Sequence, residues 1–294
     1  MKKSTGDFVF DFFIYLFLLI VLFVTLYPIY YVLIISLNDA TDSTFGGIYF
    51  FPRVPTISNY IYFFRQGQWL QAFWVSVLRT ISSAVLVILY TCLFAYALSF
   101  KNLLGRKIYM SILIFSMYFS GGIIPTYVLY RFLGLLNSFA VYVIPGMISA
   151  FFVIIAISFF QAIPIEMIES ARIDGSNELT IFAKIILPVS TPIIATIGLF
   201  SAVGNWNSWI DSAFFVQKSE LRTLSYRLIE VINSTQRPSD LVAEAAGSRM
   251  LMGVQTTQSV TMTAMIISVF PIMCVYPFLQ KYFVKGITIG SVKG

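Results

Sequence analysis

Apolar residues fill this chain in long, nearly unbroken runs, with short polar islands between them. A helix that crosses a bilayer needs about 20 mostly apolar residues. The pattern predicts about six such helices, over 8–37, 72–100, 108–130, 140–160, 186–206 and 262–278. The first run is interrupted only by Asp11 and Pro28 and follows Met1-Lys2-Lys3. It is too long for a secretory leader, and no small-residue cleavage site follows it. It is read as a retained span. The fold class expected is an all-α polytopic membrane protein, one domain over residues 1–294. Residues 1–70 hold the first span and a loop, and 71–294 a core bundle with a polar loop at 161–188 and a tail at 281–294.

Prolines and glycines punctuate the runs: Pro28, Pro125, Pro145, Pro192, Pro271 and Pro277, with Gly121, Gly122, Gly146, Gly198 and Gly204. Within a membrane such residues are tolerated where neighbouring helices or water satisfy the freed backbone groups. Most are packing features, and some are candidates for lining a path. Between the fifth and sixth runs, Leu221, Leu224, Leu228 and Ile232 recur at helical spacing, which predicts an amphipathic helix over 221–234 lying on the bundle or at the membrane interface.

Composition supports the membrane reading: 58% of residues are hydrophobic and 11% charged, whereas soluble domains carry about 25% charged residues. The net charge is +6. Lys2, Lys3, Lys101, Arg106, Lys107, Lys281, Lys285 and Lys293 fall on one side if six spans alternate. The positive-inside rule makes that side, with both termini, cytoplasmic. The basic excess is thus accounted for without nucleic acid. Histidine is absent, which removes the commonest general base and metal ligand. Cys92 and Cys274 lie far apart in apolar runs and read as small buried hydrophobes.

The polar island at 161–188 falls on the cytoplasmic side. Pro164 suits a first helical position, and Ile165, Ile168 and Ala171 follow at three-residue steps. Glu169 and Arg172 are close enough on a helix to pair. Gly175 can adopt a positive φ and turn the chain. Ser176 is a candidate cap for a second helix with Glu178 in its first turn. Pro188 marks the passage into the fifth span. Helix, glycine turn, helix makes a compact surface suited to docking in a partner's groove.

The spacing Glu169-Ser170-Ala171, Gly175, Ile185-x-Leu187-Pro188 resembles the EAA signature of ABC-importer permeases, with Ser170 in place of the usual first Ala. Gly134-Leu135-Leu136-Asn137-Ser138, Trp206-Asn207 and the closing Gly290-Ser291-Val292-Lys293-Gly294 are similar to further segments of the carbohydrate-uptake, maltose-type group. The resemblance covers nearly the whole chain. It implies a type I importer permease fold and the second permease of an oligosaccharide system. Its partners would be a homologous permease, two copies of an ATP-binding subunit and an extracellular solute-binding lipoprotein. It also implies a bacterial cell membrane and surrounding lipid. The coupling residues implied are Glu169, Ser170, Ala171, Arg172, Asp174, Gly175, Ile185, Leu187 and Pro188, with the tail reaching towards the ATPase.

No Walker-type phosphate loop is present. ATP and Mg are therefore expected in the partner, with no cofactor in this chain and no enzymatic activity of its own. Tyr118, Gly121, Gly122, Asn205, Trp206 and Asn207 are candidates for the substrate path, because sugars are held by polar groups and aromatic faces. Trp206 and Asn207 serve equally as a contact for the binding protein, and Trp209 reads as an interfacial anchor. Arg79, a charge inside the second span, reads as structural, paired in the bundle or reaching for the surface. A permease for another polar solute remains open. An ion-coupled transporter is disfavoured, since no acid stands near a predicted span centre.

Overall fold

The computed structural model describes residues 5–235 and 256–291. Among them the long elements are all helices, and one isolated bridge pairs Asn38 with Pro55. In chain order the helices are α1 (Thr5–Ser36), α2 (Ala40–Thr44), α3 (Ser58–Arg65), α4 (Gly67–Ser99) and α5 (Arg106–Tyr118). Then come α6 (Ile123–Phe132), α7 (Ala140–Val143), α8 (Ala150–Gln161), α9 (Ile165–Ile173) and α10 (Glu178–Ile181). A π-helical turn (Phe182–Ile186) leads through α11 (Leu187–Val189) into α12 (Thr191–Asn207). The last are α13 (Ile210–Phe215), α14 (Leu224–Thr235) and α15 (Thr257–Ser291).

Three helices among the described residues are long and apolar enough to cross a membrane: Phe8–Ser36, Gly67–Ser99 and Thr257–Val275. Two bent pairs bring the total to five if each is one span, α8 with α9 at 75° and Glu178–Val189 with α12 at 81°. The run expected as one helix over 108–130 is broken. Phe119 is extended and Gly122 takes φ +80, so α5 stops at Tyr118 and α6 starts at Ile123. The run at 140–160 breaks as well, between α7 and α8, at Pro145-Gly146, where proline removes a helix donor. Apolar length alone does not reveal such breaks. The amphipathic helix begins at Leu224, three residues later than its pattern suggests, because a 3-10 turn occupies Ser219–Leu221.

The chain divides into two compact units, residues 1–70 with 228–270, and residues 71–227 with 271–294. In the first, the side chains of Phe8 to Val24, Asp11 apart, are apolar and exposed all round α1. A helix of that kind requires an apolar surrounding. Asn38 is fully buried beyond it. Its amide donates to Asp42 and Ser43 and accepts from the Val54 N–H, pinning the loop that follows α1.

The second unit holds the larger core. Val87, Cys92, Ala95 and Tyr96 of α4 pack with Val153, Ala156 and Phe160 of α8 and with Ile193 and Ile197 of α12. Ile168, Ala171, Ile181 and Ile186, from the polar loop, belong to the same cluster. The loop is therefore built into the bundle rather than hung from it. At Gly198 of α12 a Cβ would lie 3.0 Å from Ile88 Cδ1 of α4, a contact that a small shift of that flexible side-chain end relieves. The N-terminal half of α4 carries a polar stripe, Ser76, Arg79 and Ser83, at helical spacing. Ser76 Oγ accepts from the Leu224 N–H at 2.8 Å, and Ser83 Oγ donates to the Tyr142 carbonyl at 3.3 Å. Arg79 is 1% exposed. Its guanidinium donates to the Ser208 carbonyl at 3.0 Å and to Asp211 Oδ2, and lies 4.7 Å from the Tyr142 ring centroid. Of the two expectations for this intramembrane charge, pairing in the bundle is the one met, with Asp211 as partner.

Candidate functional site

Between α8 and α12 the chain leaves one helix axis by 75° and enters the next by 81°. What lies between is a nine-residue helix, a glycine turn and a short second helix. Pro164 stands one position earlier than expected, at the cap of α9. The end of α9 is a Schellman turn: Ser176 N–H donates to the Ala171 carbonyl and Gly175 N–H to the Arg172 carbonyl, each at 3.0 Å. Gly175 takes φ +80 with open space around it, so backbone conformation, not crowding, demands glycine there. The cap of α10 is Asn177, not Ser176: its side chain accepts from the Thr180 N–H at 2.8 Å. The residue nearest the helix start by sequence pattern is one short of the geometry that reaches the orphan amide.

The expected coupling residues divide by environment. Glu169, Ser170, Arg172, Asp174 and Gly175 are exposed, and Ile173 and Leu179 are apolar yet 87% and 71% exposed. Ala171 is buried, and Ile185 and Leu187 pack against the core cluster. One half of the motif holds the loop in place and the other half is presented. Pro188 closes the π-helical turn at the start of α11. Such turns recur at functional sites.

Arg172 does not reach back to Glu169 as the helical spacing suggests. Its Nε donates forward to Glu178 Oε1 at 2.7 Å. Glu178 Oε2 accepts from Tyr96 Oη at 2.7 Å. The hydrogen bond from Arg172 holds the Glu178 carboxyl below its ordinary value, against a desolvation penalty and with help from Tyr96. The same bond raises the pKa of Arg172. The role of Glu178 as a bridge escaped sequence reading, because its partners lie 6 and 82 residues away.

The path candidates belong to two separate elements. Tyr118 ends α5 with 87% of its surface exposed, and Gly121 and Gly122 form the non-helical, exposed link to α6. Asn205, Trp206 and Asn207 form the last turn of α12. Trp206 is buried edge-on against Phe73, with ring centroids 6.0 Å apart. Asn205 and Asn207 turn their amides back onto the carbonyls of Ser201 and Val203. The Gly134–Ser138 segment is a turn: Gly134 and Asn137 take positive φ, and Asn137 Oδ1 accepts from the Gln217 and Lys218 N–H groups. In the tail, Gly290 and Ser291 end α15, and Val292, Lys293 and Gly294 lie outside the described residues.

No family model matches the chain. It is 37% identical over 271 residues to Protein LplC of Bacillus subtilis, covering 92% of this chain and 90% of that one. It is 36% identical over 286 residues to the polygalacturonan/rhamnogalacturonan transport system permease protein YtcP of the same organism, covering 97% and 98%. The chain belongs to the ABC importer permease family. A solved bacterial ABC transporter involved in the import of the acidic polysaccharide alginate contains a chain of the same fold. The TM-score is 0.88 at 28% identity, covering 96% of this permease and 99% of that chain. This permease is an integral membrane transport subunit and not an enzyme.

Proposed function

We propose that this permease forms the import path for an oligosaccharide, with uronate-bearing glycans as its cargo class, together with a second permease. The observation that carries the reading is similarity over 97% of the chain to a polygalacturonan/rhamnogalacturonan permease. The likeness to an alginate importer supports the same acidic class. Two copies of an ATP-binding subunit bind ATP and Mg, and an extracellular binding lipoprotein delivers the sugar. Both termini are cytoplasmic, and the six spans are α1, α4, the broken α5–α6 and α7–α8 pairs, α12 and α15, with α9 to α11 left in the cytoplasmic loop.

The loop at 165–188 is the coupling element. Its exposed Ile173 and Leu179, flanked by Glu169 and Asp174, offer an apolar and acidic face to a groove on the ATPase. Nucleotide-driven closure of the ATPases moves this loop and switches the path between inward and outward access. The non-helical link at 119–122 lines the path. Unwound backbone at membrane depth is tolerated where it borders protein or a water-filled cavity, and Tyr118 there presents an aromatic face.

The test is uptake of labelled oligogalacturonides by cells that carry the binding protein, with and without this permease. Uptake should vanish with the permease deleted. Uptake of neutral oligosaccharides alone would overturn the acidic-cargo reading, and undiminished uptake of every sugar would overturn the carbohydrate reading.

A further inference from the structure

Glu178 uses both carboxylate oxygens on two different helices. Oε1 takes the Arg172 guanidinium of α9, and Oε2 takes the Tyr96 hydroxyl of α4, each at 2.7 Å. Glu178 itself opens α10. One side chain therefore joins three elements. Arg172 also lies 5.3 Å from the Phe100 ring centroid, just beyond the end of α4, and Tyr96 stacks edge-on with Phe100 at 5.0 Å.

The stability such a junction supplies is small. The Arg172 and Glu178 side chains are 42% and 52% exposed, and ion pairs of that exposure contribute little. Geometry is what it fixes. A cavity of about 580 Å³ borders the junction, between Leu93, Phe100, Leu103 and Phe182. Ile181 anchors α10 in the core, but apolar contacts have no preferred direction. The two hydrogen bonds supply one.

We infer that Tyr96, Glu178 and Arg172 are positioning residues that key the coupling loop to α4, so that force applied to α9 moves the cytoplasmic end of α4 with it. The inference rests on the coupling reading of residues 165–188. Tyr96→Phe is the sharpest probe, since it deletes one oxygen and leaves the buried ring in place.

The experiment uses the full transporter, both permeases with ATPases, in lipid nanodiscs. Spin labels sit at Leu104, 93% exposed beyond α4, and at exposed Glu166 on α9, with Cys274, which is exposed and not buried as its apolar run suggests, replaced by serine. Distances are read without nucleotide and with ATP and vanadate. With Tyr96 present the distribution should stay narrow and unchanged between the two states. Tyr96→Phe should raise the population of a second, longer distance about fivefold, the weight of one net hydrogen bond, and more so with ATP and vanadate. Glu178→Gln can keep both links, its carbonyl accepting from Arg172 and its NH2 donating to Tyr96 Oη, and should have a smaller effect. Both variants should retain the ATPase through purification. An unchanged distribution in Tyr96→Phe overturns the junction. If Gly175→Val leaves ATPase retention intact, the coupling reading itself has failed, which is a separate result.

Discussion

Replacing Asp211 by alanine strips the buried Arg79 of its counter-charge, and the cost follows from where each partner sits. The Arg79 side chain is 2% exposed and that of Asp211 34%. Breaking a fully buried pair by removing one partner costs about 3–5 kcal/mol, because the survivor is left uncompensated. In Asp211→Ala the survivor is the guanidinium. It keeps the Ser208 carbonyl and the face of Tyr142. Water reaching from the exposed third of the Asp211 site softens the loss further, to about 2–3 kcal/mol. In Arg79→Met the survivor is a carboxylate already one-third hydrated and bonded to Ser208 Oγ at 3.1 Å, and methionine refills much of the volume. That loss is about 1–2 kcal/mol. The asymmetry is the content of the prediction: the aspartate substitution costs more than the arginine one. The double variant should cost less than the sum of the two, since the survivor's penalty is gone. Thermal unfolding of the assembled transporter in detergent, at matched lipid content, ranks the three variants. Equal costs, a reversed order or strict additivity would refute a buried guanidinium neutralised by Asp211.

Three further outcomes follow from the same structure. Gly175→Val, at φ +80, should strain the turn by about 1–2 kcal/mol and lower the yield of ATPase co-purifying with the permease. Gly175→Asn, which tolerates that conformation, should retain it, and equal losses in the two would refute a conformational origin. The depressed Glu178 carboxyl makes the loop's stability pH-dependent with a definite sign. The contribution is complete above the ordinary glutamate range and is lost as pH falls through the lowered folded value. Hydrogen exchange of α10 amides, corrected for intrinsic rates, should therefore hold steady from neutral pH to that range and rise only below it. Glu178→Gln should remove the acid transition, and a transition near neutral pH would contradict the assignment. At Gly198, alanine should be nearly neutral, because its methyl meets only the flexible end of Ile88. Valine should destabilise by about 1–3 kcal/mol through overpacking, measured by thermal unfolding.

Much of the fold was legible because lipid imposes a crude rule. Apolar length located α1, α4 and α12 to within five residues at each end, and α15 at its start, although that helix continues to Ser291, well past the expected end at 278. The same rule joined α5 to α6 and α7 to α8, since Phe119 to Gly122 and Ile144 to Ser149 are as apolar or small as their flanks. Apolarity reports the solvent, whereas the breaks depend on one positive φ at Gly122 and one missing donor at Pro145. The loop was legible for another reason: Gly175 and Pro188 carry local conformational signals that need no tertiary context. Caps and ion pairs were less so. Asn177 replaced Ser176 as cap, and Arg172 turned forward to Glu178, because both choices are decided by where Tyr96 and the core place α10. Arg79 stood out by its chemistry, but its partner Asp211 lies 132 residues on, beyond any local pattern.

The central claim, that the loop at 165–188 docks on an ATP-hydrolysing partner, is tested most directly by a photo-crosslinking residue at Ile173. That side chain is 87% exposed at the end of α9. Irradiation of the intact transporter in membranes should give one dominant product, this permease joined to the ATP-binding subunit, and Gly175→Val should abolish it. Crosslinks to lipid or to the second permease alone, with none to the ATP-binding subunit, would contradict the account.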